Sequence, residues 1–494
     1  MRSSRLKTAQ NTNQLLHWLV FFLVCTLLAV SPVLRGGNRQ VALAGLLVIS
    51  ALLLALLLGS ATWSLLTSSS AAAPDAPAAS HVWQVCGLAL VLFSPLWLGF
   101  LYLTPVTADW WSNAPGREVY LRALDAANGT LPSRLPLSLH PQATLAALLS
   151  AVPAAVALWA ALILPRPLIE RCLAVLLVVG ACQMLLAVLQ FWMGPGSPLY
   201  FGVESATGFV GSFANRNHLA DFLVMLMPLW FYRVAEATGG RAARAEMHRR
   251  SGQFGGAGAL WLFFGFALLV ITLATLSRGG LLSAGLVLMA STVLLIAKLK
   301  SQLSRKQKIW LAIAAVVFAA LALAGVGAQR VGERLDSATV QIDAQTRNDF
   351  TAATLEGARA FWPWGSGAGT YESVFPRFQA ANSLNYVEYA HNDYAQLLME
   401  LGLAGLLLVL VVLALVVMQG VRLSRVYQLE RRLTGELALR AFCGLGALAM
   451  LVHSTVEFNM HIPSLALTAA FLMGVYLRPL QTPRLKESSA ALSE

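Results

Sequence analysis

Residues 401–421 read LGLAGLLLVLVVLALVVMQGV, a run of 21 residues with no charged side chain. At about 1.5 Å per residue, a helix of that length crosses the roughly 30 Å hydrocarbon layer of a bilayer. Working outward from this run, apolar blocks of similar size recur along the chain. They place spans near 15–34, 41–66, 81–103, 144–164, 173–193, 218–232, 259–276, 280–297, 309–327, 401–421, 441–459 and 462–477. The composition agrees: 57% of the 494 residues are hydrophobic and 12% are charged, against about 25% charged in soluble domains. The expected fold class is an all-α integral membrane protein, a bundle of about 12 transmembrane helices seated in a lipid bilayer. Arg2, Arg5 and Lys7 precede the first block as in a signal peptide. No clear small-residue cleavage site follows, so this block reads as a retained first span.

Cys25, Cys86, Cys172, Cys182 and Cys443 all lie in or beside apolar blocks, and their number is odd. That pattern argues against a disulfide or metal framework. The formal charge of +12 would suit a nucleic-acid partner, but its distribution points to topology. With a cytoplasmic N-terminus, 23 of the 35 Lys and Arg residues fall on inside segments and 12 on the longer outside loops. This positive-inside bias puts both termini in the cytoplasm. The basic runs 241–250 and 298–308 then anchor the topology, and no nucleic-acid partner is expected. All six lysines fall inside, and every outside cation is an arginine, the residue suited to bidentate phosphate contact.

The organisation that follows is a cytoplasmic N-terminus (1–14), spans 1–9 (15–327), a large periplasmic loop (328–400), spans 10–12 (401–477) and a cytoplasmic tail (478–494). The first long outside segment, 104–143, contains Trp110, Trp111 and an amphipathic stretch around Tyr120–Leu124. The second, 328–400, holds a predicted helix from Arg347 to Phe361, followed by the turn-rich WPWGSGAGT (Trp362–Thr370), whose glycines suit sharp bends or close approach to a ligand. Segment 67–80 is low-complexity, and no internal repeat stands out.

Three polar clusters map to the outer mouth of the bundle: GSFANRNHLADF (Gly211–Phe222), LSRGG (Leu276–Gly280) and YAHNDYAQLLMELGLAG (Tyr389–Gly405). Ionisable groups at membrane depth are expensive and are functional candidates by default. Arg216 is an interfacial snorkelling arginine or, given Asn215, Asn217 and His218 beside it, part of a polar pocket. Asp221, one turn beyond Asn217, is placed to pair with Arg216 or Arg233. Arg278 sits in a loop of about three residues, where membrane anchoring explains a positive charge poorly. Asp393 followed by Gln396 fits a capping box. His391 has no such structural role and exchanges a proton near neutral pH. His453 and Glu457, four apart, are expected to share a helical face, most simply as a buried hydrogen-bond cluster.

These residues suit substitution at a sugar carbon with a diphosphate leaving group. Arg216 and Arg278 would neutralise the departing phosphate, and His391 would take the proton from the attacking hydroxyl. No D-x-D pair occurs in the chain, so a carboxylate-held metal is not indicated and no cofactor is expected.

The clusters, in this order and topology, resemble the O-antigen ligase and polymerase superfamily (Wzy_C, WaaL-like). The matching stretches are GSFANRNHLADFLVMLMPL (211–229), LSRGG (276–280), Arg347 through GSGAGTYESVFPRFQ (365–379), YAHNDYAQLLMELGLAG (389–405) and LVHSTVEFNMHIPSLAL (451–467). The resemblance implies a bundle of about a dozen spans in the bacterial inner membrane with one large periplasmic loop after the ninth. It implies metal-independent transfer of a glycan from undecaprenyl diphosphate to a periplasmic acceptor. Its conserved arginines fall on Arg216 and Arg278 and its loop histidine on His391, with Arg347 matching a further loop arginine. Glu457 stands where the family often has aspartate, and Asn217 and Asn392 flank the matched positions as supporting candidates. The acceptor is lipid A-core oligosaccharide in a ligase, or another lipid-linked glycan in an O-antigen or exopolysaccharide polymerase. A 12-span transporter or lipid-glycan flippase would share the composition, but it should show repeated halves and ionisable groups near the bilayer midplane.

Overall fold

The computed structural model describes residues 2–67, 79–202, 208–213, 215–239, 256–299, 337–380 and 386–479, with 306, 309 and 313 as isolated positions. The apolar runs, and α5 and α11 in the two long polar segments, become helices: α1 (Arg2–Val30), α2 (Gln40–Thr67), α3 (Ala79–Leu92), α4 (Ser94–Leu103), α5 (Glu118–Ala126), α6 (Pro141–Ile163), α7 (Arg166–Met193), α8 (Arg216–Gly239), α9 (Gly256–Ala274), α10 (Arg278–Lys298), α11 (Ser337–Ala360), α12 (Asp393–Glu430), α13 (Gly435–His453) and α14 (Pro463–Leu477). Proline in the first turn opens α4, α6, α7 and α14, where its missing N–H would lack a partner anyway.

Seven of the described helices are long and apolar enough to cross a membrane, or eight if α3 and α4, bent by 57°, form one span. Three shorter apolar helices, Gln14–Val30, Leu260–Ala274 and Pro463–Leu477, join them in the bundle. The expected span 309–327 lies outside the described residues apart from 309 and 313. The expected span 441–459 is corrected: its helix begins at Gly435 and stops at His453, because the next residues tighten into turns (Thr455 N–H to Val452 C=O, Val456 N–H to His453 C=O) and the Ser454 carbonyl accepts the amide of Asp393. His453 and Glu457 therefore do not share a helical face.

α8 is the central helix, with 89% of its most apolar window buried inside the protein. It packs on α10 and α13, which also touch each other, while α6 packs on α14. The starts of α8, α10 and α12 and the 454–462 connection gather at one end of this bundle. At the opposite end Arg233 donates to the Glu170 carbonyl (3.0 Å) and Lys298 pairs with Glu236 (2.9 Å).

Two long segments cap the first end. In 104–143 the strands β1 (Pro105–Thr107) and β2 (Arg134–Pro136) pair antiparallel, and Arg117 is buried over the Trp111 ring at 5.0 Å while donating to the Leu137 carbonyl. Burial lowers the Arg117 pKa to about 10, although the nearby Tyr120 and Tyr102 oppose the shift. The two segments join through Leu139 N–H to the Ser366 carbonyl (2.8 Å) and Arg377 to the Gly116 carbonyl (3.0 Å). α11 lies across the end: Arg347 reaches the 454–458 turn, and Gly357 rests on Met399 of α12.

α12 breaks at Gly402 (φ 51°, ψ −128°), which separates Asp393–Leu401 from the long apolar segment. A Cβ on Gly402 would lie 2.2 Å from the Pro363 carbonyl oxygen, and one on Gly365 2.3 Å from that of Glu400. The two backbones touch, and the Leu403 amide donates to the Pro363 carbonyl at 2.8 Å. The glycines at 365 and 402 therefore serve packing of the capping loop onto α12.

Candidate active site at one end of the bundle

Glu457 is the hub. It sits in the turn beyond α13 with its side chain 1% exposed. Its Oε1 accepts from Arg347 Nη2 at 2.7 Å and from Asn217 Nδ2, and its Oε2 faces His391 Nδ1 at 3.1 Å. Arg347 also donates to the Val456 carbonyl (2.8 Å), so the guanidinium grips both the carboxylate and its backbone. Burial alone would push the Glu457 carboxyl up. The hydrogen bond and charge of His391, then the charges of Arg347 and His218, outweigh burial and hold it at about 2. It is ionised throughout the physiological range.

A carboxylate at Nδ1 favours the tautomer with the proton on Nδ1, which leaves Nε2 of His391 as the basic lone pair. His391 is 31% exposed and adopts φ 51°. A left-handed backbone at a non-glycine residue is strained and clusters at functional sites. Its ring meets the Phe458 ring edge-on at 4.9 Å, and Phe458 also stacks on Tyr389 (4.6 Å) and meets His218 (4.8 Å). An aromatic wall thus fixes the imidazole plane.

Asn392 caps α12, its side chain accepting from the Ala395 amide at 3.1 Å. This corrects the capping box expected at Asp393. Gln396 reaches back to the Ala390 amide (3.1 Å), and Asp393 is free to bind elsewhere. Its carboxylate accepts from the Met460 amide (2.9 Å) and His461 Nδ1 (2.8 Å). Burial alone would lower the His461 pKa, but the Asp393 hydrogen bond and charge, with Glu400 and Glu388, raise it.

Arg216 opens α8, and Arg278 opens α10 directly after Ser277, whose hydroxyl accepts from the Gly280 amide (3.2 Å). Both are half-buried. The two helices touch one turn further in, where a Cβ on Gly280 would lie 2.6 Å from the Ala220 Cβ. Two helix N-termini, each led by an arginine, thus stand side by side at the Glu457 end, and helix N-termini favour anions. Asp221 is not the partner of Arg216 or Arg233: it is buried against His453 Nδ1 at 3.1 Å, because α8 turns it inward toward α13. Among the described residues no three His, Cys, Asp or Glu side chains are grouped as metal ligands would be.

His391, Glu457, Arg347 and Asn217 therefore converge directly, Asn392 holds the helix start beside them, and Arg216 and Arg278 lead adjacent helices. Sequence reasoning missed the Asp393–His461 pair and the Tyr389–Phe458 stack. The partners lie 68 positions apart in the first case, and no local spacing links them.

This architecture, a charged and largely buried cluster at one end of an apolar helical bundle, is that of a multi-pass membrane protein. Residues 263–410 match the family model Wzy_C, described as O-Antigen ligase. That match, over under a third of the chain, supports the resemblance to the O-antigen ligase/polymerase superfamily, whose members are glycosyltransferase-like ligases and polymerases. Arg278, Arg347, His391 and Asn392 lie within the matched residues; Arg216, Asn217 and Glu457 lie outside them. No curated protein matches the chain.

Proposed function

We propose that this protein is a metal-independent glycosyltransferase of the inner membrane that moves a glycan from undecaprenyl diphosphate to a periplasmic acceptor, with lipid A-core oligosaccharide favoured over a second lipid-linked glycan. The observation that carries this reading is the Glu457–His391 contact at 3.1 Å, on the bundle end where Arg216 and Arg278 lead their helices. His391 Nε2 takes the proton of the acceptor hydroxyl as its oxygen bonds to the anomeric carbon. The bond from that carbon to the phosphate oxygen breaks, and the electron pair leaves with the diphosphate. Glu457 stabilises the imidazolium that forms, as an orienting carboxylate does in a nucleophile–base–acid triad. Arg216, Arg278 and their helix N-termini neutralise the departing anion. Twelve spans and a periplasmic site accord with the distribution of cations and with the three shorter apolar helices.

Purified protein in nanodiscs, given lipid-linked glycan and acceptor, tests the reading. Wild type should transfer glycan and His391→Ala should lose about 10²–10⁴ in rate while still binding undecaprenyl diphosphate. Full transfer by His391→Ala moves the base elsewhere, with Glu388 the first replacement to examine. Deleting the gene separates the acceptors: loss of polymer on lipid A with long lipid-linked chains intact means ligation, and accumulation of single repeat units means polymerisation.

A further inference from the structure

We infer that the buried Asp221–His453 pair is a positioning dyad that sets the Arg278 turn for the diphosphate; this rests on the diphosphate reading above. Both side chains are 0% exposed, with Asp221 Oδ1 and His453 Nδ1 3.1 Å apart. They lie where α8, α10 and α13 meet, one turn inside the bundle from Arg216. Leucines would satisfy the packing of three apolar helices with none of the desolvation penalty of an ionisable pair. A buried intramembrane pair therefore calls for a role beyond packing.

The role is visible at Gly279. A Cβ there would fall 2.4 Å from His453 Nε2 and 2.7 Å from its Cδ2, so the imidazole edge occupies the space of the missing side chain. The neighbouring Gly280 rests on Ala220, the residue before Asp221. With Nδ1–H given to Asp221, Nε2 is an acceptor facing the first turn of α10, where backbone N–H groups lack intrahelical partners. Nε2 itself is buried and has no hydrogen-bond partner among the described residues.

The turn that carries Arg278 is thus seated between the Ser277 cap on one side and the His453 ring on the other. Asp221 fixes the ring's rotation and tautomer. Because His453 ends α13 and Val456 lies 3.2 Å from the same Gly279 Cβ position, this contact also sets the distance from Arg278 to the Glu457–His391 pair. Neither dyad residue touches the diphosphate; they act through the arginine.

The test uses full-length protein in nanodiscs and four variants: Asp221→Asn, Gly279→Ala, His453→Ala, and Gly279→Ala combined with His453→Ala. Binding of undecaprenyl diphosphate without sugar is measured directly, beside KM, kcat and the pH profile of transfer. Asp221→Asn and Gly279→Ala should each weaken binding and raise donor KM about tenfold, equivalent to about 1.4 kcal/mol, with the pH profile of kcat unchanged because His391 and Glu457 are untouched. His453→Ala should recover most of the affinity lost by Gly279→Ala, since removing the ring makes room for the methyl group. Unchanged affinity in both single variants, simple additivity in the double variant, or reduced folded yield with wild-type affinity and turnover per folded molecule would each overturn the positioning role. Wild-type protein that fails to bind undecaprenyl diphosphate overturns the diphosphate assignment itself, and with it the role given to the dyad.

Discussion

Replacing Glu457 with Gln keeps the side chain's length and removes its charge, and the consequences can be followed atom by atom. The amide oxygen can still accept from Arg347 and Asn217, which now bind Oε1. The amide NH₂ must then face His391 Nδ1, where Oε2 stands at 3.1 Å. A donor at that place turns Nδ1 into an acceptor and moves the proton to Nε2, the atom that must be basic. Loss of an orienting carboxylate of this type costs up to about 10⁴ in kcat, and loss of general-base help about 10²–10⁴. Single-turnover transfer in nanodiscs at saturating donor should fall within that range, with donor affinity nearly unchanged. Glu457→Gln added to His391→Ala should slow the reaction little further, because the two act as one unit. Turnover within about threefold of wild type, or a double variant slower by the full product of the two losses, would refute the dyad. Stability gives a second readout. The folded pKa is depressed from 4.5 to about 2, so the contribution is fully present above about pH 4.5 and is lost as pH falls toward 2. Its size is about 3 kcal/mol at most, and the Gln variant should lack that stretch of acid sensitivity.

Three further outcomes follow from the same geometry. Arg216→Lys and Arg278→Lys should each reduce transfer several-fold or more, since an ammonium cannot reproduce the bidentate fork; wild-type rates for both in membranes would remove the diphosphate role. The His461 pKa is raised by Asp393 despite burial, so its contribution to stability is complete below the ordinary histidine value of about 6.5 and is lost as pH rises through the folded value. Thermal unfolding across pH 6–9 should show that loss in wild type and a flatter profile in Asp393→Asn. Cysteines introduced at Ser337 and Ser251 should be labelled from outside at 337 and not at 251; the reverse pattern inverts the topology.

The bundle was legible in the sequence because what makes it is local. A run such as Leu401–Val421 must satisfy its own backbone hydrogen bonds in lipid, so its length and lack of charge suffice to name it a span. The helix across the capping loop was legible for a different local reason, since Arg347 to Phe361 holds no Pro and no Gly but Gly357, and the three polar clusters stood out because charge is costly next to apolar runs. The residues on which the proposed site draws, His391, Arg216, Arg278 and Arg347, were legible as candidates. The partnerships were not. Glu457 looked like a face-mate of His453 until α13 stopped at His453, and Asp221 looked like an arginine's partner until helix rotation turned it to His453. Glu457 meets Asn217 across 240 positions and Arg347 across 110. No spacing rule reaches that far, because those contacts depend on how α8, α11 and α13 rotate and cross, and that is set by packing summed over whole helices. Sequence alone determined which segments form long apolar helices and which charges stand at their ends; only the tertiary structure decided which carboxylate faces the histidine, since that rests on a few ångströms of helix placement that no local pattern encodes.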